Sequence, residues 1–132
     1  MEHLDLSGLK VLDHYNQYAN QLVLRTAQQL DDAAFTGSAS PSHGSVQGLL
    51  THMLTVEFFF LARCEGKPVN PKEIPDKSLS IHEIQVTFAQ IAEERRRYLE
   101  WIKQEMLDEV VIIPINGKEF TLPRWQFLTQ SL

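Results

Sequence analysis

Cysteine is nearly absent: Cys64 stands alone among 132 residues. This excludes an intrachain disulfide and a cysteine-rich zinc site, and it points to a reducing, cytoplasmic setting. No apolar run approaches the roughly 20 residues of a membrane-spanning helix. The opening Met1-Glu2-His3-Leu4-Asp5 lacks the basic and apolar stretches of a secretory leader. Positive charge is also scarce. Lys and Arg number 12 against 17 Asp and Glu, a net charge of −5. Nucleic acids and anionic membranes both require clustered bases, so neither is expected as a partner. The one basic cluster, Arg95-Arg96-Arg97, follows directly on Glu93-Glu94 and reads as a solvated helix face. Internal repeats and low-complexity tracts are absent too.

What remains is an ordinary globular composition, 43% hydrophobic and 22% charged, sized for a single domain over residues 1–132. Three long segments carry helical period. The first runs from Asp5 or Ser7, either of which can cap it, to about Asp32. Its apolar stripe is Leu12, Tyr15, Ala19, Leu22, Leu30 and Ala33, widened by Leu9, Tyr18 and Val23. Lys10, Asp13, Asn20, Arg25 and Gln28 form the polar side. Turn formers from Thr36 to Pro41 end it.

The second helix starts at Ser42 or Ser45 and stops at Glu65-Gly66, where glycine suits the left-handed position after a helix. Val46, Leu49, Leu50, Met53, Phe60, Leu61 and Cys64 share one face. Glu57 projects from the middle of that face and His52 lies at its edge. A carboxylate among apolar neighbours requires a partner or a shifted pKa; Arg95, which interrupts an apolar stripe on the third helix, is the candidate. Phe58 and Phe59 lie off the main face, so the helix is apolar on more than one side and belongs between several others. Phe58-Phe59-Phe60 is expected in the core or a dimer interface rather than in a ligand pocket. Cys64 reads as a buried apolar filler, with no activating His or Lys nearby.

Three prolines between Lys67 and Lys77 forbid a helix and leave an ordered crossover. Ser80-Ile81-His82-Glu83 is a capping box opening the third helix. Ile84, Phe88, Ile91, Tyr98, Ile102 and Met106 carry its apolar spacing. The period then switches. Val110 to Ile115 is largely β-branched, Asn116-Gly117 fits a type I′ turn, and Lys118 to Leu122 makes the return strand. Pro123-Arg124-Trp125 opens a further helix, which Leu132 cuts off after about two turns; the Trp125 ring is expected to cap the bundle end.

Tyr15-Asn16-Gln17-Tyr18-Ala19-Asn20, Gly44 through His52 with Glu57 and Gly66 beyond, Ser78-Leu79, and Asn116-Gly117-Lys118 leading to Leu122-Pro123-Arg124-Trp125 together resemble the DinB/YfiT superfamily of four-helix-bundle proteins. The likeness covers nearly the whole chain. It implies an all-α, up-down four-helix bundle with a small β-hairpin before an incomplete helix four. It further implies a divalent metal, zinc or nickel, held by one histidine on helix two and two histidines four residues apart on helix four. His52 matches the helix-two ligand. The other two expected ligands are absent from the chain, and none of His3, His14, His43 and His82 stands in their place. One imidazole alone cannot hold a metal of ordinary affinity. The expectation is a C-terminally truncated form of a longer protein; the alternative is a short relative without metal.

The implied activity is that of a thiol-dependent transferase or hydrolase acting on a small molecule. Glu57 would serve as catalytic base or as orienter of a metal ligand. The competing roles are a structural pair with Arg95 for Glu57 and a hydrogen-bonded edge-of-core residue for His52. Asn20 and Tyr18 are placed near the pocket by the resemblance and on the surface by composition alone. The alternative function is a non-enzymatic, homodimeric helical bundle without metal. In either case a homodimer is expected.

Overall fold

The computed structural model describes residues 5–38, 44–75 and 78–131. Its elements follow in the order α1 (Leu6–Gln28), α2 (Asp32–Thr36), α3 (Val46–Cys64), α4 (Ile81–Trp101), β1 (Val110–Ile115), β2 (Lys118–Pro123) and α5 (Arg124–Ser131). The all-α bundle with a hairpin before its last helix is the architecture expected from the sequence.

Local chemistry sets the boundaries. Asp5 caps α1, its carboxylate accepting from the Gly8 amide at 2.7 Å. Ser45 does the same for α3 through Gly48 at 2.9 Å; the alternative cap, Ser42, lies outside the described residues, as do His3, His43, Asp76-Lys77 and the chain end at Leu132. The Ser80–Glu83 capping box is formed in both directions. Gly66 takes φ +69° after α3, and Asn116 and Gly117 take +50° and +77°, the signs a type I′ turn demands. Two boundaries differ from expectation: α4 ends at Trp101, short of Met106, and α1 also ends early. The first helix stops at Gln28 rather than near Asp32, and a new turn, α2, begins at Asp32 behind its cap Asp31, whose carboxylate accepts from the Ala34 amide at 2.8 Å. A side chain that caps a helix start competes with continuation of the helix before it.

α4 packs on both α1 and α3, and α3 also packs on α5. The core runs between them through Leu9, Leu24, Leu50, Leu54, Ile84, Phe88, Leu99 and Leu128. Phe60 and Phe127 stack at 4.5 Å and join α3 to α5. β1 and β2 pair antiparallel with Val111 opposite Leu122 and Ile113 opposite Phe120. Val111 is buried, while Val110 and Ile112 on the other face are exposed. Arg124 fastens the start of α5: its amide donates to the Glu109 carbonyl at 2.8 Å and its Nη1 to the Met106 carbonyl at 2.9 Å. The crossover after α3 is tied down by Lys67, whose Nζ lies 3.3 Å from Glu65 and 3.4 Å from Glu94.

α1 presents a different face to the core than its apolar stripe indicates. Leu9, Asp13, Leu24 and Ala27 are buried, whereas Tyr15, Tyr18, Leu22 and Val23 are exposed. The inward face is therefore part polar, and that placement creates the interior site.

Candidate functional site

Three helices each send one charged side chain into the middle of the bundle: Asp13 from α1, Glu57 from α3 and Arg95 from α4, all buried. Arg95 Nε donates to Asp13 Oδ1, and its Nη1 lies 3.6 Å from Glu57 Oε1. Asn16 and Asn20 donate to the same Glu57 oxygen at 3.1 and 3.3 Å. Gln17 donates to Asp13 Oδ2 at 3.0 Å. The 3–4 spacing of Asp13, Asn16, Gln17 and Asn20 puts all four on one helix face. Two anions are thus met by one cation and three amide donors, which is the condition for burying charge without a prohibitive desolvation cost. The pairing of Glu57 with Arg95 was legible in the sequence. The closer partner, Asp13, is not, because its spacing with Lys10 and Asn20 reads as the polar side of α1.

Arg95 Nη2 is buried and without a hydrogen-bond partner among the described residues. Glu57 Oε2 accepts none of these hydrogen bonds, since both asparagines use Oε1. Glu57 also forms part of a cleft of about 190 Å³ between α1 and α4, edged by Gln17, Asn20, Gln85, Leu24 and Phe88. A small concavity with apolar walls and convergent amides around a carboxylate has the make-up of a small-molecule site. A larger groove, about 980 Å³, follows the outer side of α4 beside Trp101. It is open to solvent, and its charges are already paired: Lys67 with Glu65 and Glu94, and Arg97 with Glu93. The chemistry therefore concentrates at Glu57.

His52 is exposed on α3. Five residues separate it from Glu57, about 140° around the helix axis. At that angle the two side chains leave α3 on different sides. Among the described residues no group of three or more His, Cys, Asp and Glu side chains could hold a metal ion. The donors among the described residues therefore do not make up a complete metal centre.

Of the two helix-one candidates, Asn20 belongs to the cleft and Tyr18 faces solvent. Arg95 departs from the solvated run, whereas Arg96 and Arg97 stay on the surface with Glu93. Cys64 is buried; burial pushes its thiol up to about 12, opposed by the positive charge of Arg124. Tyr98 donates to the Cys64 carbonyl at 3.2 Å, and its own hydroxyl is pushed up mainly by burial. Phe60 is packed as expected, and Phe58 meets Phe59 edge-on at 6.2 Å. Trp125 packs against the core at the start of α5. Sequence reasoning missed Asp13, Asn16 and Gln17. The available signal was their phase, which matches that of Leu9, Leu24 and Ala27.

Among the described residues no helix is long and apolar enough to cross a membrane. No curated protein matches the chain. The chain matches the DinB family over residues 5–130, and it belongs to that family.

Proposed function

We propose that this DinB-family protein binds a small polar molecule, a low-molecular-weight thiol in particular, in the cleft at Glu57, and that it works in the cytoplasm as a thiol-dependent transferase or hydrolase. The observation that carries this reading is the division of labour within one carboxylate. Oε1 is fixed by Asn16, Asn20 and Arg95, while Oε2 remains to accept a hydrogen bond or a proton from a bound thiol, hydroxyl or amine. Fixing one oxygen orients the other, which is how a general base gains geometric precision. Glu57 is accordingly the catalytic residue of the proposal.

A divalent metal, zinc or nickel, enters only through His52, since the donors among the described residues do not complete a site for it. No part of the Glu57 role depends on it. The test combines calorimetric titration of the protein with cysteine as the probe thiol and metal analysis of the natively purified protein. The proposal expects saturable cysteine binding that Glu57→Gln weakens at least tenfold, and zinc or nickel that His52→Ala removes. Unchanged cysteine binding by Glu57→Gln would overturn the Glu57 role; metal retained by His52→Ala would overturn the ligand role.

The second reading is a non-enzymatic homodimer without metal. Apolar side chains left outside the core on α1 favour it.

A further inference from the structure

The outward face of α1 carries an apolar stripe that the bundle leaves uncovered. Val11, Tyr15, Tyr18 and Leu22 are 69%, 67%, 57% and 45% exposed. Their spacing of four, three and four residues is that of a coiled-coil seam. At 100° per residue the stripe lies about half a turn from Leu9, Asp13, Leu24 and Ala27, the residues that face the core. α4 and α5 pack on the inner half of α1, so among the described residues neither covers the stripe.

We propose that this face joins two copies of the chain, with the two α1 helices antiparallel across a two-fold axis. The proposal rests on the homodimer reading and is independent of the Glu57 cleft. Three observations select a second copy as the occupant. The first is area. With about 150–250 Å² for each tyrosine, the stripe exposes on the order of 400 Å², and the rim from Lys10, His14, Gln21 and Arg25 brings this toward the roughly 800 Å² per partner of a standard interface. The second is self-complementarity. A two-fold axis between Tyr15 and Tyr18 sets Tyr15 against Tyr18 of the partner subunit and Val11 against Leu22 of the partner subunit. Large rings then meet at the centre and aliphatic side chains at both ends. The third is charge. Parallel helices would oppose Lys10 to itself and Arg25 to itself; the antiparallel arrangement separates these pairs and turns Arg25 toward the end of the partner helix capped by Asp5. It also opposes the two helix dipoles favourably. The flanks carry too few bases for an anionic lipid surface, and the net charge of −5 weighs the same way.

Sedimentation velocity of the full chain tests the association, with Tyr18→Glu as the interface variant. Tyr18 points away from the core, so the helical circular dichroism and melting of the variant report whether it folds; Leu22→Gln is the second variant should Tyr18→Glu melt early. The proposal expects a wild-type dimer at micromolar concentration, and a folded variant whose dimer dissociation constant rises at least tenfold. A wild-type monomer at a hundred times that concentration overturns both the interface and the homodimer. A dimer unaffected by either variant overturns the α1 interface alone. Orientation is read by a short bismaleimide. Val11→Cys mixed with Leu22→Cys should cross-link as a mixed pair, whereas Val11→Cys alone, about 16 Å from its symmetry mate along the axis, should not. Self-linking of Val11→Cys as the main product overturns the antiparallel arrangement. Cys64 does not compete, because it is buried and its thiol stays protonated.

Discussion

Replacing Arg95 with methionine isolates the charge balance at the centre of the bundle. Methionine keeps most of the stem volume, so the lost quantity is the cation rather than packing. Asp13 and Glu57 would then lie buried as two anions with amide donors alone. Breaking a buried ion pair in this way costs about 3–5 kcal/mol, a large share of the roughly 5–15 kcal/mol that holds a domain folded. With a urea slope of about 2 kcal/mol per molar, the unfolding midpoint should fall by about 2 M. One further feature separates this cause from a simple packing defect. The triple variant Arg95→Met, Asp13→Asn, Glu57→Gln should recover much of the loss, since no uncompensated charge remains. Urea denaturation measures both. A loss under about 1 kcal/mol, or a triple variant no more stable than the single one, would refute the electrostatic reasoning.

Smaller perturbations test other parts of the account. Cys64, with its thiol held up to about 12, should resist Ellman's reagent at pH 8 in the folded protein and react on addition of denaturant; rapid modification without denaturant would mean that the α3 end opens readily. Ser80→Ala removes one half of the capping box on α4 and should cost about 1 kcal/mol in chemical denaturation. Phe127→Ala deletes the ring stacked on Phe60 and should cost about 3–5 kcal/mol, with the melting temperature as the readout. A cost near zero would show that α5 is not anchored there.

The sequence made the architecture legible wherever local chemistry decides it. Ser45, Ser80-Glu83, Gly66 and Asn116-Gly117 mark their boundaries by side-chain caps and positive φ, and each does so in the structure. The phase of α1 was harder to read. Tyr15, Tyr18 and Leu22 form a cleaner apolar stripe than the mixed set Leu9, Asp13, Asn16, Asn20 and Leu24, and periodicity alone favours the cleaner stripe. The bundle instead buries the mixed face, because Glu57 and Arg95 supply partners there for Asp13, Asn16 and Asn20. A polar face becomes an interior face only when complementary groups arrive from other helices, and that information is spread over residues 82 positions apart. Arg95 is the corresponding case on α4, being adjacent to the solvated Arg96 and Arg97 yet turned inward by 100° per residue. The site's carboxylate was recognisable because a charge within an apolar run is conspicuous; its amide donors were not, because asparagine and glutamine are unremarkable on a helix.

The central functional claim is that Glu57 presents one free oxygen to a small ligand while Asn16 and Asn20 hold the other. The side-chain amide resonances of those two asparagines report on it directly. On titration with cysteine, both pairs of signals should move together and saturate, and in Glu57→Gln they should stay in place at the same concentrations. Cysteine that leaves both asparagines unmoved, or moves them equally in the variant, would contradict the account.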